Sequence, residues 1–337
     1  MNTGLPNIAL IAGGYSGEME VSLKSQKGIL SFLEGAPFNV IPVLITRDEW
    51  VVLLEEGTER LQIDKNNFTF TTVAGQRIKF DYAYITIHGT PGEDGKLTGY
   101  FDMLDIPYSC CPTLTGALTA NKYVCNRYLS SFGIRIAPSV RLQPTDHVRP
   151  IVLAVDPGLP AFVKPNDGGS SVATTKVTEI EGFAPAIALA FKEGAEVMVE
   201  HLIQGTEVTC GCYADAEGIH VLPVTEVVSH NEFFDFDAKY NGQVEEITPA
   251  RISSEMTTRI QDLTREIYGH LNASGIIRVD FIIENDIPVL LEVNTTPGMT
   301  ATSFIPQQIA AAGLNIGEVL TSIIRHQMEL HKKKRQS

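Results

Sequence analysis

The stretch Ile277-Arg278-Val279-Asp280-Phe281, followed by Leu290-Leu291-Glu292-Val293-Asn294-Thr295-Thr296-Pro297-Gly298-Met299, decides how this chain is read. Residues 276–283 are apolar and β-branched and predict a strand. Glu284 to Pro288 predict a turn, and 288–293 a second strand. Side chains alternate along a strand, so Arg278 and Asp280 share one face, and Leu290, Glu292 and Asn294 share one. A hairpin centred on Asp286 sets Asp280 opposite Glu292. Two carboxylates and an amide oxygen then gather beside Arg278. Carboxylates this close repel unless something neutralises them. Mg²⁺ fits, because it takes hard oxygen ligands and shares its shell with substrate phosphates. An exposed hairpin face carrying ordinary charges is the other reading of the same residues.

The chain has 337 residues, enough for a large core and two or three domains. Its net charge of −14 argues against a generic nucleic-acid binder, which needs basic clusters, but leaves room for a local basic pocket around a nucleotide. The one basic run, His331-Lys332-Lys333-Lys334-Arg335, reads as a solvated helix end. No secretory signal and no bilayer-length apolar run are read. The five cysteines, Cys110, Cys111, Cys125, Cys210 and Cys212, match neither a zinc site nor a disulfide framework. A cytoplasmic protein, with no membrane partner, is expected.

From the N-terminus, Asn7 to Ala12 predicts a strand, Gly13 to Gly17 a turn, and Glu18 onward a helix: the front of a βαβ unit. Glu18 and Glu20 either complement the helix dipole or serve a site. The turn lacks the full dinucleotide fingerprint. Val40 to Ile45 and Tyr82 to Ile87 predict strands, with a small β excursion over 50–80. His88 to Gly95 is a Gly/Pro loop at a strand's C-terminal end, where open α/β sheets bind ligands; His88 is a loop histidine or a site residue.

Gly95 to Leu104 predicts a helix and Asp105 to Ser109 a short strand. Leu114 to Phe132 predicts one helix carrying Lys122, with Leu118, Val124, Leu129 and Phe132 inward. Ala161 to Val177 reads as strand, Gly/Ser loop, strand. It is not a P-loop, but such a hairpin can lay N–H groups and hydroxyls over phosphates, with Lys164 adding charge; a plain hairpin turn is the alternative. A helix over Gly182 to Lys192 is followed by strands at Val197 to Ile203 and Val208 to Tyr213. Phe233 to Gly242 is too aromatic for an ordinary loop and too polar for a core strand; it reads as an ordered loop with a function. Helices are expected over Ser254 to Leu271, Thr302 to Ala312 and Ile316 to Glu329.

In order along the chain, GGYSGEMEVSL (13–23), HGTPGEDGKLTG (88–99), NKYVCNRYL (121–129), FVKPNDGGSSV (162–172), VEHLIQGTEVT (199–209), FFDFDAKY (233–240), IRVDF (277–281) and LLEVNTTPGMTATS (290–303) resemble the ATP-grasp carboxylate–amine ligases, and within them the D-alanine–D-alanine ligase family. Eight matches in sequence are far more specific than any one. The resemblance implies an α/β (α+β) chain: an ATP-grasp fold with an N-terminal Rossmann-like open α/β domain. It divides as a substrate domain over 1–112, a central ATP-grasp domain over 113–198, and a C-terminal ATP-grasp domain with the metal site over 199–337.

The resemblance also implies roles. Lys122, Lys164 and Lys239 contact the nucleotide, and the hairpin around Gly169, Ser170 and Ser171 closes over its phosphates. Glu200 and the backbone near His201 and Ile203 read adenine, and Glu207 the ribose. Asp280, Glu292 and Asn294 hold two Mg²⁺ (or Mn²⁺) ions. Arg278 and the Gly298 backbone stabilise an oxyanion. Glu18 anchors the ammonium of a first D-alanine, with His88 near its carboxylate. Ser170 and Tyr240 join Glu18 in a hydrogen-bonded triad. Ser303 and the backbone at Phe304 bind the carboxylate of a second D-alanine. A homodimer is expected on the same ground.

The implied reaction phosphorylates the first D-alanine with ATP; the second attacks the acyl phosphate as a free amine, and phosphate leaves. Water must be kept out, which gives a physical reason for a closing loop over 233–240. Relatives that make D-alanyl-D-lactate or D-alanyl-D-serine differ in this loop, and the intact Asp237-Ala238-Lys239-Tyr240 favours the dipeptide. The chain departs from the family pattern at Ala173, where glycine is expected, at Phe304, where leucine is usual, and at His201, where lysine or glutamate is common. Two other readings remain: an ATP-grasp ligase for a different acid and nucleophile, and a nucleotide- or D-alanine-binding regulatory protein. Glu18, Tyr240 and Ser303 argue against the first, and the retained metal ligands and Arg278 against the second.

Overall fold

The computed structural model describes residues 4–54, 59–146, 149–167, 172–229 and 244–336. β1 (Asn7–Gly13) is apolar on both faces, as a strand buried inside a parallel sheet must be, and pairs in parallel with β2 (Asn39–Ile45) and β7 (Tyr82–Ile85). α1 (Met19–Phe32) provides the crossover between β1 and β2. The predicted β excursion is present as β3 (Trp50–Leu54), β4 (Glu59–Asp64), β5 (Thr69–Thr71) and β6 (Arg77–Lys79), which extend the sheet in the order β6-β5-β4-β3-β2-β1-β7. The strand expected over 105–109 is only an isolated bridge between Ala83 and Tyr108.

After α2 (Lys96–Leu104), the single helix expected over 114–132 is two: α3 (Thr113–Ala120) and α4 (Lys122–Ser130). The break falls at Asn121, whose extended backbone (φ −101°, ψ 96°) ends one helix while its side chain caps the next, Oδ1 accepting from Val124 N at 3.0 Å. Lys122 is therefore the first residue of a helix and not a mid-helix lysine. Phe132, expected inward, is exposed beyond α4.

A second sheet follows: β8 (Ser139–Leu142), β9 (Ala161–Pro165), β10 (Thr175–Val177) and β11 (Val197–His201), ordered β10-β9-β11-β8 and covered by α5 (Pro150–Leu153) and α6 (Phe183–Glu193). The β9–β10 pair is the predicted hairpin, with Thr175 opposite Val163; its tip lies outside the described residues. The third sheet runs β15-β14-β12-β16-β17, from β12 (Thr206–Asp215), β14 (Thr225–Ser229), β15 (Val244–Ile247), β16 (Ile276–Glu284) and β17 (Ile287–Asn294), with β13 (Gly218–Val221) pairing β12. α7 (Ser254–His270), α8 (Phe304–Ala311) and α9 (Ile316–Gln336) pack around it. The segment 233–242 lies outside the described residues.

The hairpin brings Asp280 opposite Glu292, as predicted, but by a different route. Its turn is Asn285-Asp286, both at positive φ, which centres the register between those residues. A bulge beside Phe281 then shifts the pairing, so that Phe281 faces Leu290 while Asp280 faces Glu292. Leu290 therefore joins the apolar core with Phe281, and Glu292 lines a cavity. The expectation that Leu290 and Glu292 share a face is overturned, because strict alternation ends at a bulge.

Two apolar clusters fix how the sheets sit. One joins Ile8, Leu10 and Ile29 to Ile305, Leu320 and Ile323, so the first sheet and the C-terminal helices share a core. The other, with Val163, Phe183 and Val199, draws its buried residues only from 142–199. Gly28 permits the first contact: a Cβ there would stand 2.4 Å from the Met299 carbonyl oxygen. Among the described residues no helix is long and apolar enough to cross a membrane.

Candidate functional site

A cavity of about 600 Å³ opens where these elements meet. Nine of the residues singled out in the sequence line it. Glu18 comes from the start of α1, His88 from the loop after β7, and Lys122 from the start of α4. Arg278, Glu292 and Asn294 come from the hairpin, and Gly298, Ser303 and Phe304 from the turn into α8. Glu18 occupies the N-cap position of α1, makes no capping hydrogen bond and lines the cavity. A Cβ on Gly89 would lie 3.8 Å from Glu18 Oε2, which shows how closely the first and second loops meet.

Behind the cavity wall lies Asp280, 8% exposed. Arg278 Nε donates to its Oδ1 at 2.9 Å and Nη2 to its Oδ2 at 2.8 Å. Asn294 Nδ2 also donates to Oδ2 at 2.9 Å. That bond fixes the orientation of the amide. Glu292 lies 3.3 Å from Lys122 Nζ. Burial works to lower the Lys122 pKa, but the Glu292, Glu93 and Glu18 carboxylates outweigh it and hold the ammonium above its ordinary value. Arg278 follows the same pattern, with Asp280 as the main counterweight to burial.

Among the described residues no group of three His, Cys, Asp or Glu side chains is placed to hold a metal ion by itself. The donor set is two carboxylates and an amide, all hard oxygen, which is too few for a closed protein cage. It fits Mg²⁺, which completes its shell with phosphate oxygens and water.

The expected nucleotide residues form a separate group. Lys164 on β9 and Glu200 on β11 are ion-paired at 2.6 Å across neighbouring strands. The other Glu200 oxygen and His201 Nδ1 are buried and have no hydrogen-bond partner. Orphaned acceptors of this kind are costly unless a ligand satisfies them, and an exocyclic amino group is such a donor. Ile203 follows β11, and Glu207 on β12 lies two residues from Thr209 on the same sheet face. Gly169, Ser170, Ser171, Lys239 and Tyr240 lie outside the described residues.

Two residues went unremarked in the sequence. Glu93 is half-buried at the cavity, its Oε2 accepting from Gly89 N at 2.7 Å. Burial pushes its carboxyl up to about 7, with Glu18 and Glu292 adding to the effect. It stands inside the 88–99 motif, so the signal was there. Thr209 sits directly opposite Asp280 and donates from Oγ1 to Oδ1 at 2.5 Å; only the strand register reveals it.

Two antiparallel sheets, one with facing carboxylates beside the cavity and the other with a lysine–glutamate ion pair, have the arrangement of an ATP-grasp ligase. Family models fit both parts of the chain: "D-ala D-ala ligase N-terminus" matches residues 7–111 and "D-ala D-ala ligase C-terminus" residues 129–325. The chain is 63% identical over 322 residues to a D-alanine–D-alanine ligase of Porphyromonas gingivalis, covering 95% of this chain and 97% of that one. It is 57% identical to one from Parabacteroides distasonis, covering 97% and 99%. Among solved structures, the VanG D-Ala:D-Ser ligase of Enterococcus faecalis superposes with a TM-score of 0.84 at 31% identity, over 97% of this chain and 99% of that one. The Bacillus anthracis D-alanine–D-alanine ligase complexed with ATP gives 0.78 at 26%, over 98% and 99%. The chain belongs to the D-alanine–D-alanine ligase family.

Proposed function

We propose that the chain is an ATP-dependent ligase that joins two D-alanines through a D-alanyl phosphate, giving D-alanyl-D-alanine, ADP and phosphate for peptidoglycan synthesis. The observation that carries this is the facing pair Asp280 and Glu292, set beside a cavity that also receives Glu18 from α1 and Ser303 from the start of α8.

In this reading Glu18 receives the ammonium of the first D-alanine, and His88 lies by its carboxylate. ATP sits against β9 and β11, with the buried Glu200 oxygen accepting from adenine, Glu207 at the ribose, and Lys164, Lys122 and Lys239 at the phosphates. The hairpin residues Gly169, Ser170 and Ser171 complete the phosphate grip, and Ser170 and Tyr240 complete the triad with Glu18. Asp280, Glu292 and Asn294 would hold two Mg²⁺ ions, which offset charge on the phosphates during transfer. Ser303 and the Phe304 backbone N–H, at the positive end of α8, take the carboxylate of the second D-alanine. The amine attacks the acyl carbon, and the oxyanion that forms meets Arg278 and the Gly298 N–H before phosphate departs. Arg278 is suited to this because Asp280 keeps its planar fork fixed.

All five cysteines are free and buried, as in a reducing cytoplasm, where we place the enzyme as a homodimer.

The test is D-alanine-dependent phosphate release from ATP and Mg²⁺, with the product weighed by mass spectrometry. D-Alanyl-D-alanine alone, with none from L-alanine and no D-serine or D-lactate product, supports the reading. ATP binding without turnover on any D-amino acid would overturn it.

A further inference from the structure

α8 is fastened to the third sheet by one buried side chain. Gln308 is fully buried on its second turn. The chain of β12 has a gap in its pairing there: the ladder with β14 ends at Thr209, and the ladder with β13 begins at Cys212. Gly211 N, at this gap, finds its acceptor in a side chain rather than in a neighbouring strand. The Gln308 amide bridges the gap. Its Oε1 accepts from Gly211 N at 2.9 Å, and its Nε2 donates to Thr209 O at 3.1 Å and to Thr225 Oγ1 at 3.0 Å. Gly211 leaves room for it, since a Cβ there would stand 2.6 Å from Gln308 Oε1.

The strand that Gln308 grips is the one that holds Asp280. Thr209 donates to Asp280, Asp280 pairs with Arg278, and the Arg278 guanidinium lies 5.3 Å over the ring of Phe304, the first residue of α8. The contacts thus close a circuit from α8 to α8: Gln308, Thr209, Asp280, Arg278, Phe304.

We propose that Gln308 is a positioning residue for the second-substrate subsite, registering the start of α8, with Ser303 and Phe304, to Arg278 and Asp280. This rests on the reading of Ser303 and Phe304 as that subsite. Gln308 touches no substrate; it acts by holding the helix that does. An apolar side chain there frees α8 and leaves the Gly211 N–H without its acceptor.

The test is steady-state kinetics of Gln308→Leu, in which the two D-alanine constants and the ATP constant are resolved separately. The expected result is a rise of about tenfold or more in KM for the second D-alanine, with KM for the first and for ATP within about twofold. A purely structural role would lower kcat through loss of folded enzyme and leave all three constants alone, and that outcome overturns the proposal. Thr225→Val removes one of the three amide bonds and is the second variant if the first does not fold. It should raise the same constant about threefold, and an unchanged constant overturns the proposal equally. Phe304→Leu, which removes the ring under Arg278, should be non-additive with Thr225→Val, since both lie on one circuit. If the wild-type enzyme makes no dipeptide, the subsite reading itself falls and the inference falls with it. Dipeptide synthesis with an unaltered second constant sinks the inference alone.

Discussion

Arg278 and Asp280, two residues apart on one face of β16, form a two-pronged ion pair within a wall that is almost closed to water. Removing one partner of such a pair leaves the other charge buried and uncompensated. Asp280→Ala should therefore lower unfolding free energy by about 3–5 kcal/mol, read from urea denaturation. Arg278→Lys keeps the charge but loses the fork; its kcat should fall about 100-fold while the urea midpoint moves far less. Equal midpoints for wild type and Asp280→Ala would show that the pair contributes nothing to the fold.

Glu292 faces the cavity and Lys122, and its side chain is a third exposed. Glu292→Gln keeps the shape and removes the charge. Turnover should be lost while the thermal midpoint stays within about 2 °C, a shift of roughly 1 kcal/mol at this size. Near-normal turnover would sink the metal assignment.

Glu93 gives a pH signature. Below about pH 4.5 its carboxyl is protonated folded and unfolded alike, so burial costs nothing. Between 4.5 and about 7 the unfolded chain releases the proton and the native state keeps it, so stability declines as pH rises. Above about 7 the native state carries a buried charge and the loss is complete, at up to about 3 kcal/mol. In metal-free buffer, Glu93→Gln should match wild type at pH 4.5 and exceed it progressively to pH 8. A difference independent of pH would contradict this.

Gly275 has φ +70°, and a Cβ on it would stand 1.9 Å from the Ser109 carbonyl oxygen. Backbone cannot retreat as a side-chain tip can. Gly275→Ala should destabilise by about 2 kcal/mol or more, seen as a lower thermal midpoint, because both the dihedral and the space are wrong. Gly269→Ala, on exposed helix with nothing within 4 Å, is the control and should be neutral or slightly stabilising.

Much of this was legible in the sequence. Apolar runs marked β1, β2 and the hairpin strands, and the motif residues Glu18, His88, Lys122, Glu292 and Ser303 meet at one cavity. The failures have physical causes. Asn121 suits a cap, yet helical periodicity runs straight through it. Leu290 and Glu292 part company because the bulge is set by pairing with β16, which periodicity does not encode. Gln308 reads as an ordinary helix glutamine until the Gly211 N–H of β12 is seen to donate to it. Thr209 and Asp280 are 71 residues apart, and only their register joins them.

The self-contained core of the second sheet has a consequence for turnover. Its ties to α4 include polar contacts: Tyr123 N to Asn166 Oδ1 at 2.9 Å, Asn121 Nδ2 to Glu196 Oε2 at 3.1 Å, and Arg127 Nη2 to the Ser139 carbonyl at 2.8 Å. A joint of this kind is lubricated by water, since each contact it gives up can be remade with solvent. A displacement of that lobe would leave its apolar cluster intact. Calorimetry of ADP binding should show the modest heat-capacity change of a wet seam, well short of that for parting a shared core.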